Sequence, residues 1–175
     1  MANSIASSKY QKIHHGSQIL LRILAIATTL SAACIMITNK QVTVVYGIQV
    51  DARYSYSPAF KFYAFANIVA SALSILSLIV VLLMGRKAVH SAHYFGLFLH
   101  DLIVTILLMA GLGAAMGIAY VGKYGNSRSG WMPICEHFGK FCNRGVVSSV
   151  LGFMGFFVYL FLTIISANQA RKIQA

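Results

Sequence analysis

Four apolar runs, each long enough to cross a lipid bilayer as a helix, constrain this chain more than any other feature. They cover roughly residues 18–38, 62–84, 94–121 and 146–167. A membrane-spanning helix needs about 20 predominantly apolar residues. With 58% hydrophobic residues, 10% charged residues and a mean hydropathy of +0.74, the composition is also atypical of a soluble domain. The sequence therefore predicts an all-α membrane protein whose four transmembrane helices form one bundle over residues 18–167.

The segments between the spans are too short for a further globular domain. We expect tails at 1–17 and 168–175, outer loops at 39–61 and 122–145, and a short loop at 85–93. The first apolar run is longer than the core of a signal peptide, so we interpret it as a retained span. With four spans, both termini lie on the same side of the membrane.

Two charged residues of opposite sign lie inside the spans, Arg22 in the first and Asp101 in the third. An intramembrane charge costs at least ~3 kcal/mol on insertion scales, so it indicates a functional or structural role. The two residues enter from the same side at similar depth, and we predict a charge pair between helices one and three. Alternatively, Arg22 extends to the headgroups and Asp101 is protonated or solvated, or His100 and Asp101 form a proton relay.

Two cysteines, Cys135 and Cys142, lie in the second outer loop at a C-x6-C spacing. In an oxidising compartment this spacing predicts a disulfide, whereas in the cytosol the residues would be an unexplained pair of thiols. The disulfide interpretation places both outer loops outside the cell and both termini in the cytosol. The distribution of Lys and Arg does not decide the orientation.

Small residues recur at helical spacing in the third span. Gly113 and Gly117 form a G-x-x-x-G motif, and Gly111 with Ala115 repeats the spacing one face over. Small residues four apart let membrane helices approach closely, so we expect helix-packing or subunit contacts here. In the fourth span we expect the same role for Gly152, Phe153, Phe156 and Phe157.

The first outer loop is rich in Val, Ile and Tyr around Gly47, which predicts a small extracellular β element. No nucleophile constellation or metal-ligand cluster is apparent in the sequence. We therefore expect no catalysis, no cofactor, no metal and no nucleic-acid partner. The competing hypothesis is a small channel or proton-coupled transporter that uses Asp101, His100 and Arg22 as its polar path.

A basic amino-terminal tail, Arg22, Asp101, the stretch YSYSPAFKFYAFANIV and the outer loop with Trp131, Cys135, Phe138 and Cys142 resemble the Casparian strip membrane protein family of land plants. That family is related to the MARVEL tetraspan proteins, and the similarity runs from about residue 17 to 167. Strip-forming members carry an acidic, Phe-containing signature in the first outer loop. Residues 39–61 contain nothing like it, so the chain resembles a strip-like relative.

The resemblance implies a plasma-membrane scaffold whose subunits associate with one another and with related family members. Such membrane domains gather secreted cell-wall-modifying enzymes. The resemblance matches the family's intramembrane charges to Arg22 and Asp101. With the loop cysteines holding it, the outer loop would dock partners through Trp131 and Phe138. Membrane lipids complete the expected set of partners.

Overall fold

The computed structural model describes residues 2–84 and 91–174, which form four long helices and one β-hairpin. The predicted all-α membrane fold, with its small β element and disulfide-linked outer loop, is confirmed. Residues 85–90 of the predicted loop at 85–93 lie outside the described residues. The elements are α1 (Ala2–Ile37), β1 (Lys40–Val45), β2 (Ile48–Arg53), α2 (Pro58–Met84), α3 (Ser91–Tyr124) and α4 (Gly139–Gln174).

Each of the four helices contains a stretch that is long and apolar enough to cross a membrane. These stretches are His15–Ile37, Pro58–Leu83, Phe95–Tyr124 and Gly139–Arg171. The helices α1 and α4 continue past them, through most of the predicted terminal tails. In an 18-residue apolar part of each stretch, between 33% and 39% of the residues are buried inside the bundle. The remaining residues of these parts are available for contact with lipid.

The helices form a ring in which each packs against two neighbours. The helix α1 contacts α2 and α4, and α3 contacts the same two helices from the opposite side. Small side chains such as Ala25 and Ala70 line the interior with Val104 and Leu108, all completely buried. Close backbone approach through small residues is the usual way membrane helices pack.

The hairpin lies at one end of this ring, and its register is fixed by a two-residue turn. The antiparallel strands β1 and β2 pair Lys40 with Arg53 at the base and Val45 with Ile48 at the tip. Both turn residues, Tyr46 and Gly47, have positive φ angles of 51° and 82°. This geometry suits a two-residue hairpin because its twist matches that of the strands.

The hairpin base is hydrogen-bonded to the start of α4. The Asn39 side-chain amide donates to the Phe141 carbonyl at 2.9 Å, and the Phe141 N–H donates to the Gln41 side chain at 2.7 Å. The two outer loops therefore lie together at one end of the bundle.

The second outer loop is held by a Cys135–Cys142 disulfide and by a tight exit from α3. Gly125 follows the last residue of α3 with a φ angle of 70°, and a Cβ there would lie 2.6 Å from the Trp131 carbonyl oxygen. Only glycine fits this close approach with a left-handed backbone.

Candidate functional site

The interior of the bundle contains an ion pair between the two intramembrane charges. Arg22 donates from Nη1 to Oδ1 and from Nη2 to Oδ2 of Asp101, each at 3.0 Å. Both side chains are completely buried. This two-pronged geometry is the strongest form of an Arg–carboxylate contact. It links α1 to α3 across the diagonal of the helix ring.

Further hydrogen bonds extend this pair to the other two helices. Arg22 Nη1 also donates to the Ser77 hydroxyl of α2 at 2.6 Å, and the Ser166 hydroxyl of α4 donates to Asp101 Oδ2 at 3.0 Å. We call Arg22, Ser77, Asp101 and Ser166 the interior node. Each of the four helices contributes one residue to it, so the node joins the whole bundle at one level.

Arg22 and Asp101 have nearly the same depth. Arg22 lies seven residues from the start of its apolar stretch at His15, and Asp101 lies six from Phe95. At the helical rise these separations correspond to about 10 and 9 Å. Because a buried charge is costly without its partner, each residue depends on the other for its place in the bilayer.

His100 completes the surroundings of the carboxylate. Its Nδ1 lies 3.1 Å from Asp101 Oδ1, and 25% of its side chain is exposed. Adjacent helix residues point about 100° apart, yet the imidazole ring reaches sideways far enough to touch its neighbour. Asp101 therefore has two polar contacts on each of its oxygens.

A second set of polar contacts between helices continues from the node toward the outer loops. Thr105 and Thr163 are 3.2 Å apart, and Tyr159 both contacts Ser74 and donates to the Ala70 carbonyl at 2.9 Å. Sequence reasoning missed this set because each span was assessed separately. The sequence did contain one indication of polar contacts on α2, because Ser74 lies three residues from Ser77 of the interior node and so on the same face of the helix.

A tyrosine of α2 makes the equivalent contact near the outer end. The Tyr63 hydroxyl donates to the Ser148 carbonyl at 2.6 Å, and the Ser148 hydroxyl donates to the Ala32 carbonyl at 2.7 Å. A Cβ added to Gly152 would collide with the Tyr63 hydroxyl. Gly152 therefore serves packing inside the subunit, because it leaves space for this tyrosine.

Some small residues of α3 face the interior of the bundle, and others lie on its lateral surface. A Cβ on Gly111 would lie 3.1 Å from that of Ala66, and Ala115 is completely buried. By contrast, Gly113 and Gly117 are exposed, and no described atom outside their own stretch of helix lies within 4 Å of a Cβ built on either. The G-x-x-x-G motif thus faces away from its own bundle.

The aromatic residues of α4 divide in a similar way. Phe153 and Phe156 are half-buried and pack against the core, whereas Phe157 is 51% exposed. In the outer loop Trp131 is 57% exposed, but Phe138 is only 7% exposed. Of the two residues predicted to dock partners, Trp131 thus lies on the surface, whereas the Phe138 side chain is almost completely buried.

The hairpin exposes apolar and charged side chains on its surface. Tyr46 at its tip is 95% exposed, and Val42 and Val44 are more than half exposed. At its base, hydrogen bonds from Tyr56 at 2.9 Å and from Arg53 at 2.6 Å lower the pKa of Asp51. The same contacts raise the pKa values of Arg53 and Tyr56.

Comparison with known proteins agrees with this architecture. A family model described as the Casparian strip membrane protein domain matches residues 11–158. CASP-like protein 1F1 of Ricinus communis is 47% identical over 165 residues, which cover 94% of this chain and 92% of the relative. CASP-like protein 1F1 of Populus trichocarpa is 48% identical over 167 residues, covering 95% and 92%.

A more distant relative, CASP-like protein 1F1 of Arabidopsis thaliana, is 36% identical over 156 residues, which cover 89% of this chain and 90% of the relative. No solved structure matches the chain. With the family domain over most of its length and four membrane-spanning helices, this multi-pass membrane protein belongs to the Casparian strip membrane protein family.

Proposed function

We propose that this protein is a plasma-membrane scaffold without catalysis of its own. Its subunits associate with one another and with related chains into membrane domains. The outer loops organise secreted cell-wall-modifying machinery, and both termini lie in the cytosol. Family membership supports a scaffold in general, and three features of the molecule support this specific form of it.

The outward G-x-x-x-G motif of α3 carries the proposal. Gly113 and Gly117 lie one turn apart, about 6 Å along the helix, and the described part of the subunit leaves both without a packing partner. Gly111, two residues earlier, already serves the contact with α2. Small residues on a lipid-facing surface allow a second helix to approach closely. This surface therefore suits contact with another subunit.

The interior polar residues favour a scaffold over a transporter. Both oxygens of Asp101 are engaged by Arg22, with Ser166 and His100 as further partners. Transport sites near the midplane typically use interrupted helices, whereas Pro58–Met84 and Ser91–Tyr124 are continuous helices. Hydrogen bonds that fix the helices to one another suit a rigid building block.

The disulfide supports the proposed orientation. Bonds such as Cys135–Cys142 persist in oxidising compartments and are rare in the cytosol. Because the hairpin contacts the same end of the bundle through Gln41 and Phe141, both loops would face the cell wall. Trp131 and the exposed hairpin side chains then form the accessible outer surface for partners.

The experiment that tests this proposal is the mass of the particle in lipid nanodiscs, compared with the 19.1 kDa subunit. Wild type is expected as an oligomer, and Gly113→Leu and Gly117→Leu are expected to shift it toward the monomer. The matched control is Gly16→Leu, the same change at an exposed site with open space around it. A monomeric wild type would overturn the proposal, as would proton flux in liposomes that Asp101→Asn abolishes.

A further inference from the structure

A groove between α2 and α3 lies beside the interior node and is not used by the proposed scaffold contacts. Its volume is about 330 Å³, and it is partly open. The described lining is mostly apolar, with Leu73, Leu76, Val80 and Leu97 on its walls. Two polar residues, Ser77 and His100, also line it. A pocket of this size and composition is typical of a small apolar ligand with one polar contact.

The hydrogen-bonding role of His100 in this groove follows from its neighbour. The Arg22 guanidinium donates to both carboxylate oxygens of Asp101, so these oxygens act as acceptors. The tautomer of His100 with its proton on Nδ1 matches the 3.1 Å contact with Oδ1. In the neutral ring the other nitrogen, Nε2, is then an acceptor. This atom is buried and has no hydrogen-bond partner among the described residues. An unused acceptor therefore lies buried beside the groove, in a residue that lines it.

The depth of His100 matches the polar edge of the hydrocarbon layer. The apolar stretch Phe95–Tyr124 has 30 residues, which span about 45 Å against a hydrocarbon thickness of about 30 Å. If the excess is divided equally, the hydrocarbon begins about 7.5 Å past Phe95. His100 lies five residues past Phe95, at about that distance. By the same division the shorter stretch His15–Ile37 places Arg22, which is bonded to Asp101, several ångströms deeper. A lipid hydroxyl at or just below the headgroup boundary would therefore lie near Nε2.

We propose that this groove binds a membrane sterol, whose hydroxyl donates a hydrogen bond to His100 Nε2. The apolar body lies along Leu73 and Leu76 toward the midplane, and binding requires a local shift of side chains in the lining that brings the buried Nε2 into contact with the hydroxyl. Gly96 leaves room for the ligand, because no described atom outside its own stretch of helix lies within 4 Å of a Cβ built there. A rigid ring system also loses less conformational freedom on binding than a flexible acyl chain.

The test is crosslinking of the full chain in phosphatidylcholine nanodiscs with a photoreactive sterol, followed by mapping of the labelled peptides. Labelling is expected to saturate and to fall on the α2 and α3 segments around Ser77 and His100. Unlabelled sterol is expected to compete about tenfold better than its methyl ether, which cannot donate a hydrogen bond. Diacylglycerol, which also has a free hydroxyl but flexible chains, is expected to compete poorly.

Two variants test the groove independently. Gly96→Leu fills open space rather than the core, so the fold is retained and labelling should fall at least about tenfold. Gly16→Leu is the matched control and should label as wild type does. His100→Asn places an amide donor near the position of Nδ1, which preserves the contact with Asp101 but removes Nε2. With this variant, sterol and its methyl ether should compete equally.

Several outcomes would overturn the proposal. Labelling that does not saturate, or that spreads evenly over the lipid-facing helices, would mean that no site exists. Undiminished labelling of Gly96→Leu would place the site elsewhere. Stronger competition by diacylglycerol than by sterol would reject the rigid ligand in favour of a flexible one. Because labelling does not depend on particle mass, these results are separate from the oligomer measurement.

Discussion

Removing one charge of the interior ion pair should cost far more stability than removing both. In Asp101→Leu the guanidinium of Arg22 stays buried without its carboxylate, and in Arg22→Met the carboxylate loses its two strongest donors. Breaking a buried ion pair from either side costs about 3–5 kcal/mol. The two single variants therefore sum to a loss of about 6–10 kcal/mol in the free energy of unfolding.

The double variant Arg22→Met/Asp101→Leu removes both charges and leaves side chains of similar size. Ser77 keeps its hydrogen bond to the Ser74 carbonyl at 3.0 Å, and Ser166 can bond to the preceding turn of its own helix. His100 then loses its partner, which costs about 1–3 kcal/mol. The free energy of unfolding lost by the double variant should thus be at least about 3 kcal/mol smaller than the sum of the two single losses.

Equilibrium unfolding in mixed detergent micelles measures these differences, with the single tryptophan, Trp131, as the fluorescent probe. Ile103→Ala is the control, since this residue lies near Asp101 on α3 but is 57% exposed and makes little contact with the bundle interior. Its effect should stay within about 0.5 kcal/mol. If the two charge removals add within about 0.5 kcal/mol, the residues do not stabilise each other and the reasoning about the node is wrong.

Three further predictions concern other contacts. Ser166→Ala should lower the free energy of unfolding by about 1.5 kcal/mol in the same micelle assay, because a hydrogen bond to a charged group is lost. Cys135→Ser should lower the stability of the second outer loop by about 2 kcal/mol. Protease should then cleave this loop faster than in wild type, and a reductant should not increase the rate further. The depressed pKa of Asp51 stabilises the hairpin above the unfolded value of about 3.9, and this contribution disappears as the pH falls through the folded value. Methyl NMR should show the hairpin loosening in acid, but not in Asp51→Asn.

The sequence was sufficient for features that depend on local pattern or on rare residues. The hairpin around Gly47 follows from alternating β-branched residues and a turn, and the contact between Arg22 and Asp101 follows from their isolation among apolar residues. Both features can be predicted without knowledge of the tertiary packing.

The hydrogen bonds between helices were not predictable in the same way. Whether Thr105 meets Thr163, or Tyr159 meets Ser74, depends on how all four helices are rotated about their axes. That rotation is set by the packing of the whole ring. The burial of Phe138 was not predictable for a similar reason, because the position of the loop over the bundle decides whether its ring is covered.

The interior node also sets an order of events during biosynthesis. Asp101 follows Arg22 by 79 residues in the chain, which takes about 4–16 s to translate at 5–20 residues per second. During that interval the first helix leaves the ribosome before Asp101, the partner of its arginine, has been made. The last partner, Ser166, emerges later still. Insertion of α1 must therefore be provisional, with Arg22 held near the headgroups or by the insertion machinery until α3 arrives.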